Sequence, residues 1–209
     1  MNRRIKGICF DMDGVLIDAR EWHYEALNKA LAHFGYNISK IAHLTTYDGL
    51  PTREKLKIMS KTGSLPVRLH GLINLLKQKY TEQLCYLNCK PSFNHQFALA
   101  GLKKNYKLAV CSNSKKNTIN TMLRLANIND YFDHMLSCED VDKPKPDPSI
   151  YQKAMKLLKI NPSECLILED NKHGIQAAEA SKGYVMKISA PEDVTLDSIA
   201  DAINLIERK

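Results

Sequence analysis

Apolar positions recur along the chain with two different spacings, and the change from one to the other divides the sequence. Between residues 17 and 85 they recur every three or four positions, which places them on one face of a helix. This spacing predicts helices at 21–34, 53–60 and 69–87, with Thr52 as the N-cap of the second. No strand-like run interrupts the stretch, so we expect it to be entirely helical.

In the rest of the chain, helix-like spacing alternates with short apolar runs that are typical of buried strands. The runs lie at 8–10, 106–111, 134–137, 165–168 and 184–188, and helices are predicted at 93–104, 117–125, 150–158 and 174–180. Alternation of this kind indicates a parallel sheet with right-handed crossovers.

We therefore predict an α/β fold class, with a Rossmann-like parallel sheet core, helices on both faces and an inserted all-helical cap. The α/β catalytic core would comprise residues 1–16 and 86–209, and the cap domain residues 17–85. In such a sheet the active site forms at the carboxyl ends of the strands. The residues that follow each strand are therefore the candidates for chemistry.

Two aspartates, Asp11 and Asp13, follow the first predicted strand and precede Gly14. Residues i and i+2 of a strand point the same way, so the two carboxylates would repel each other unless a cation or a proton lies between them. Hard oxygen ligands favour Mg²⁺, and glycine permits the sharp turn that such a site needs. An ordinary turn is the alternative, whereas the apolar residues 15–17 are wrong for a calcium loop.

Polar residues also follow the other strands, and each has a simpler explanation when taken alone. Ser112, Asn113 and Ser114 follow the second strand, and we expect Ser114 to cap the next helix. A loop with Lys143 follows the third, where a solvated lysine is the usual outcome. Glu169 and Asp170 end the fourth and could cap the helix at 174–180. It is improbable that all of these simpler explanations hold at once, because the polar residues follow one strand after another.

Composition excludes some classes of protein. The 209 residues carry a formal net charge of +7, but the lysines are scattered, so we expect no nucleic-acid partner; the same field would steer a small anion. No apolar run reaches the length of a membrane span, and we expect no membrane association. The six cysteines contain no Cys-x-x-Cys pair, which favours buried free thiols in a reducing, cytoplasmic setting.

Together the motifs resemble those of the haloacid dehalogenase superfamily of phosphotransferases. The matching segments are 11–15, 112–114, 143–147 and 168–170, the last followed by 174–178, and they cover nearly the whole chain. The helical insertion resembles the small C1-type cap of the β-phosphoglucomutase-like branch.

The resemblance implies a role for each acidic residue. Asp11 would be the nucleophile that forms an aspartyl-phosphate. Asp13 would be the general acid for the leaving oxygen and then the base for the incoming water. Mg²⁺ would be held by Asp11, the backbone carbonyl of Asp13, and Asp170, with Glu169 alongside.

The resemblance also implies a site for the phosphoryl group and for the rest of the substrate. Ser112, the amide of Asn113 and Lys143 would bind the transferring group, because a carboxylate attacks a phosphate dianion only when metal and lysine screen its charge. Arg53 resembles a substrate-contacting arginine of the mutase, although its local spacing differs and a solvent-facing arginine fits equally. His23 lies where cap-linker histidines help position the acid, with a helix-surface histidine as the alternative.

We therefore expect a monomeric, Mg²⁺-dependent phosphatase that acts on a small phosphorylated metabolite, a sugar phosphate in particular. A hexose phosphomutase of the β-phosphoglucomutase type shares every core residue and is the alternative. A dehalogenase has no use for Asp13 or for a metal. A non-enzymatic binding protein on the same scaffold would be expected to have lost at least one of the catalytic residues.

Overall fold

A single parallel sheet forms the centre of the core. The computed structural model describes residues 5–63 and 65–208. Five strands lie in the order β3-β2-β1-β4-β5, with bounds β1 Gly7–Phe10, β2 Lys107–Cys111, β3 His134–Leu136, β4 Cys165–Glu169 and β5 Tyr184–Lys187. All neighbouring strands are parallel. The predicted fold class and all five predicted strands are confirmed.

The helices of the described residues agree with the predicted ones, with three additions and one correction. They are α1 Arg20–Ala32, α2 Lys40–Ala42, α3 Thr52–Lys61, α4 His70–Asn88, α5 Phe93–Lys103, α6 Lys116–Leu125, α7 Ser149–Leu158, α8 Lys172–Ala180 and α9 Leu196–Glu207. The short α2, a π-helical turn at His43–Tyr47 and α9 were not predicted. The Thr52 N-cap was wrong, because the extended Pro51 takes that position and Thr52 is already helical.

Alternation along the strands distributes side chains to the two faces of the sheet. Ile8 and Phe10 of β1 join one buried apolar cluster, which includes residues of α5, α6 and α9. Cys9, between them, joins a second cluster with α7 and α8. Burial on both faces is typical of parallel sheets and explains why these strands are short, continuous apolar runs.

A third buried cluster lies among the inserted helices, away from the sheet. Its members come from α1, α3, α4 and the turns between them, and include Leu27, Leu31, Leu56 and Ile73. This separate core is the packing that a cap domain needs, and the division at residues 16/17 and 85/86 stays a prediction. Residues 1–4, 64 and 209, which fall in the predicted ranges, lie outside the described residues.

The cysteines are free thiols, as the sequence predicts. Five are buried and Cys138 is partly exposed. Within the described part of the chain, no helix is both long enough and apolar enough to cross a membrane.

Candidate active site

The carboxyl ends of the central strands open into a cavity of about 600 Å³ between the sheet and the inserted helices. Core residues on its wall include Asp11, Asp13, Ser112, Asn113, Lys145 and Asp170, and inserted-segment residues include Arg20, His23, His43, Arg53, Lys55 and Lys77. A cavity of this size and polarity is suited to a small metabolite. The structure thus brings together candidates that lie far apart in the sequence.

A buried lysine lies against the first aspartate. The Nζ atom of Lys145 donates to Asp11 Oδ1 at 2.7 Å, to Glu169 Oε1 at 2.6 Å and to the Cys111 carbonyl at 2.7 Å. Burial alone would lower the pKa of Lys145, but the charges of Asp11 and Glu169 outweigh it and hold the pKa above its ordinary value. This lysine is therefore a fixed positive charge beside Asp11.

The position of this lysine corrects the sequence prediction, which gave the role to Lys143. Lys143 is exposed and does not line the cavity. The side chain of Asn113 holds the backbone of Lys145 on both sides, accepting from its amide at 3.0 Å and donating to its carbonyl at 3.1 Å. Two lysines two positions apart look equivalent in a loop sequence, and only this tertiary contact selects one of them.

Three carboxylates form an acidic cluster beside the lysine. Oxygen atoms of Asp11, Glu169 and Asp170 all lie within 4.8 Å of one another. Burial raises the pKa of Asp11 well above its ordinary value; Lys145 opposes this, and the neighbouring carboxylates add to it. Burial and Glu169 likewise raise the pKa of Asp170 to about 6, against the effect of Arg20.

The cluster has the charge balance and donor set of a cation site. Three carboxylates face two fixed cations, Lys145 and Arg20, whose Nη2 atom lies 2.7 Å from Asp170 Oδ2. Glu169 is fully buried, and its oxygens accept hydrogen bonds from Lys145, Tyr151 and the Asp170 amide. Of the three carboxylates, Asp11 and Asp170 line the cavity, and an all-oxygen site suits a hard divalent ion. Arg20 had no distinctive sequence signal.

Gly14 supports this centre through its backbone. Its φ is +93°, and a Cβ atom at this position would lie 2.1 Å from Asp170 Oδ2. The turn after β1 therefore needs glycine both for its conformation and for the close approach of β4. The sequence prediction of a sharp turn at Gly14 is confirmed.

The second aspartate has a separate set of partners. Asp13 Oδ1 accepts from His23 Nε2 at 2.8 Å, and Oδ2 accepts from the Ser114 hydroxyl at 2.9 Å and the Ser112 hydroxyl at 3.3 Å. Burial alone would raise the pKa of Asp13, but the electrostatic effect and the hydrogen bond of His23, together with the hydrogen bond from Ser114, lower it to about 2. Asp13 is thus ionised at neutral pH.

His23 links Asp13 to a buried lysine of α4. The Nζ atom of Lys77 lies 3.1 Å from His23 Nδ1. Burial lowers the pKa of Lys77 to about 8, so it is mostly charged at pH 7 and can only donate. His23 Nδ1 must then accept, which assigns the proton to Nε2, facing Asp13. Burial and Lys77 also lower the pKa of His23, which favours this neutral form.

Ser114, which follows β2, does not have the helix-capping role that the sequence predicted. Ser114 was predicted to cap the next helix, but Lys115 is the N-cap of α6 and the Ser114 hydroxyl donates to Asp13.

Two asparagines also have structural contacts near the site. The side chain of Asn113 donates to the Gly49 carbonyl at 2.9 Å, which joins the inserted segment to the core. Asn171, rather than Glu169 or Asp170, is the N-cap of α8.

The inserted helices give the opposite wall of the cavity a basic character. Arg53 is exposed at the cavity and, within the described residues, forms no ion pair. Lys55 and His43 also line the cavity and are buried. Neither was predicted, because an isolated lysine or histidine in a helical segment carries no distinctive pattern.

The chain thus combines an α/β fold with an acidic centre and a buried lysine at the carboxyl ends of its strands. Residues 8–187 match the model of the haloacid dehalogenase-like hydrolases. The chain belongs to this family, as the sequence motifs predict.

Characterised relatives extend over most of the chain. A phosphorylated carbohydrates phosphatase of Thermotoga maritima is 29% identical over 180 residues, which cover 85% of this chain and 82% of the relative. A phosphoglycolate phosphatase of Aquifex aeolicus is 28% identical over 209 residues and 96% of both chains. The prediction that the chain is an enzyme of the phosphatase type is confirmed.

The whole fold also matches a solved structure of the predicted branch. The crystal structure of β-phosphoglucomutase from Clostridium difficile superposes with a TM-score of 0.83 and 23% identity, covering 98% of this chain and 100% of the other. At this identity the match establishes the shared fold.

Proposed function

We propose that the protein is a Mg²⁺-dependent phosphatase that hydrolyses a small phosphorylated metabolite, a sugar phosphate in particular, through an aspartyl-phosphate on Asp11. The observation that carries this proposal is the contact of Lys145 with Asp11 inside the acidic cluster. A carboxylate can attack a phosphate only where positive charge offsets the mutual repulsion. Relatives that act on phosphorylated carbohydrates and on phosphoglycolate support the choice of substrate class.

The metal would be held by Asp11, Asp170 and the backbone carbonyl of Asp13, with Glu169 alongside. The carboxylate of Asp13 lies outside the acidic cluster of the described residues, in agreement with a ligand role for its carbonyl alone. When bound, the ion would supply positive charge that offsets the negative charge of the phosphoryl oxygens.

The first half-reaction forms the intermediate. Asp11 Oδ2 forms no hydrogen bond within the described residues, and it attacks phosphorus as the ester P–O bond breaks. The leaving oxygen takes a proton from Asp13. Asp13 is ionised in the free site, so this proton must enter with the substrate. The second pKa of a phosphate ester is about 6, so a part of the substrate binds as the protonated monoanion, and Asp13 accepts that proton before it passes it to the leaving oxygen.

The second half-reaction releases phosphate. Asp13 is again ionised once the alcohol has left, and it accepts a proton from the attacking water. The water oxygen bonds to phosphorus, the bond to Asp11 breaks, and inorganic phosphate leaves. Lys145, the Ser112 hydroxyl and the Asn113 amide would bind the phosphoryl oxygens in both steps. General acid–base help of this kind contributes roughly 10²–10⁴-fold.

The test is phosphate release from a panel of sugar phosphates, nucleotides and short-chain phosphates, with Mg²⁺ and with chelator. We expect release that needs Mg²⁺ and that disappears in Asp11→Asn. Turnover that survives in this variant would contradict the covalent mechanism, and turnover that survives the chelator would contradict the metal requirement.

A hexose phosphomutase is the second candidate, and Arg53 favours it. An exposed arginine without an ion pair at the cavity suits a second phosphate, which a bisphosphate intermediate of a mutase would present. A mutase returns the phosphoryl group to a second hydroxyl instead of to water. Isomerisation of a hexose phosphate, primed with a bisphosphate and without release of phosphate, would establish the mutase and exclude the phosphatase.

A further inference from the structure

A buried lysine on the inserted segment has no counter-ion. Lys55 lies on α3, is 7% exposed and lines the cavity. Within the described residues it forms neither a hydrogen bond nor an ion pair. Burial, and then the charge of Lys77, lower its pKa to about 8, so it is still mostly protonated at pH 7. The side chain is largely removed from water and lines the cavity, so its ammonium group would gain from an anion that arrives there from outside the chain.

A histidine beside the same cavity is also unsatisfied. His43 is 2% exposed, and neither Nδ1 nor Nε2 has a hydrogen-bond partner among the residues that the structure describes. Its ring packs against Tyr24, with centroids 5.1 Å apart. Burial, followed by the charge of Lys55, lowers the pKa of His43 to about 4, so the imidazole is neutral and can both donate and accept. Buried polar groups in native proteins are rarely left unpaired.

The acidic groups near Lys55 do not account for it. Asp48 lines the cavity and acts on Lys55 electrostatically, as does Asp13, but neither lies within ion-pair distance of it. Asp13 is already hydrogen-bonded to His23 and to two serine hydroxyls. The positive charge of Lys55 is therefore directed at the cavity rather than at a partner in the protein.

We propose that Lys55, with His43 in electrostatic reach, binds a second anionic group of the substrate, a carboxylate or a phosphate, at the end remote from the transferred phosphoryl group. This inference rests on the proposed function, because the core site would hold the first phosphate. It specifies the substrate class as phosphate esters with two anionic ends. A sugar phosphate with no second anionic group would leave the Lys55 charge unpaired and would bind more weakly.

The test compares substrates that differ only in the second anionic group. Two matched pairs are glycerol 3-phosphate with 3-phosphoglycerate, for the carboxylate, and fructose 6-phosphate with fructose 1,6-bisphosphate, for the phosphate. We expect wild-type kcat/KM to be about tenfold or more higher for the doubly anionic member of at least one pair, the range of a charge-assisted hydrogen bond. The pair that responds identifies the anion.

Lys55→Met keeps the length of the side chain and removes its charge. We expect it to abolish the preference, because it lowers kcat/KM for the doubly anionic member and removes no charged contact with the singly anionic one. Lys55→Arg should restore part of the preference. Lys61→Met is the matched control, because Lys61 is exposed on the same helix and does not line the cavity. An equal loss on both members of each pair would overturn the inference and make Lys55 a structural residue.

Binding provides a readout that does not depend on turnover. Calorimetric Kd values for the same pairs, with Asp11→Asn and with Asp11→Asn/Lys55→Met, should show the preference in the first protein and not in the second. Equal affinities for both members overturn the inference, whether or not phosphate is released. Absence of phosphate release from every substrate, p-nitrophenyl phosphate included, would instead contradict the proposed function, and the binding preference would still decide the role of Lys55.

Discussion

The Nζ atom of Lys145 lies 2.7 Å from Oδ1 of Asp11, although 134 residues separate the two in the chain. The same ammonium group lies 2.6 Å from Glu169. The buried ammonium group thus neutralises part of the negative charge of two carboxylates, one after β1 and one at the end of β4. The loop that carries Lys145 is held in place by the side chain of Asn113.

Replacement of Lys145 by methionine should abolish most of the activity. Loss of a preorganised positive charge beside the reacting phosphoryl group should lower kcat by about 10²–10³-fold. The variant should also unfold more easily, by about 3–5 kcal/mol, because Asp11 and Glu169 would stay buried without their partner. Phosphate-release kinetics and urea unfolding measure the two effects.

Lys143→Met is the matched control for that experiment. Lys143 belongs to the same loop and is exposed, so its replacement should leave kcat and unfolding within experimental error. The opposite result, with Lys143 essential and Lys145 dispensable, would show that the loop adopts another arrangement in the working enzyme.

Replacement of His23 by glutamine should shift the pH dependence of activity. The electrostatic effect and the hydrogen bond of His23 lower the pKa of Asp13 against the effect of burial. Without them the pKa of Asp13 should rise. As the pH falls, Asp13 would then become protonated at a higher pH than in the wild type and could no longer act as a base. The acid limb of the kcat profile should therefore shift to higher pH. His33→Gln, at an exposed position after α1, should keep the wild-type profile. An unchanged acid limb in His23→Gln would remove the positioning role of His23.

Mg²⁺ binding should weaken when the pH falls below about 6. The pKa of Asp170 is raised to about 6, so protons compete with the metal for this carboxylate below that value, and the metal is favoured above it. Calorimetric titrations at about pH 7.5 and about pH 5.5, one above and one below this pKa, should give a larger Kd at the lower pH.

Asp170→Asn should bind Mg²⁺ weakly at both of these pH values. Asp197→Asn, at an exposed position in the first turn of α9, should behave as the wild type. Equal Mg²⁺ affinity in Asp170→Asn and in the wild type would place the metal elsewhere.

Replacement of Gly49 by alanine should disturb the contact between the inserted segment and the core. Gly49 has a φ of +71°, and a Cβ atom there would lie 2.3 Å from Asn171 Oδ1. We expect a loss of about 1–3 kcal/mol of stability from the strained backbone, together with a higher KM because the Asn113 contact to the Gly49 carbonyl is displaced.

Gly35→Ala separates the two causes. Gly35 has a similar φ of +74°, but nothing lies within 4 Å of the corresponding Cβ position. This variant should show the backbone cost alone, with KM unchanged. If Gly35→Ala raised KM as much as Gly49→Ala does, the contact with Asn171 and Asn113 would not be the cause.

Local patterns in the sequence determined the fold class and part of the candidate active site. The continuous apolar runs 8–10 and 165–168 can bury both faces only in a covered parallel sheet, and parallel strands bring their carboxyl ends to one edge. That geometry places Asp11, Ser112 and Asp170 on one cavity without any further information. The φ of Gly14 likewise follows from the turn that must end β1.

Only the tertiary structure decided which polar side chains face one another. Lys143 and Lys145 have the same charge and the same kind of neighbours in the sequence, and the tertiary contacts of Lys145 with Asn113 and Asp11 distinguish the two. Ser114 lies next to Asp13, and Lys55 is buried with no ion-pair partner in 5–63 and 65–208, for the same reason: side-chain direction in loops and on inserted helices depends on distant packing. Periodicity specifies which residues are apolar and inside, whereas electrostatic contacts depend on distances that the chain order does not contain.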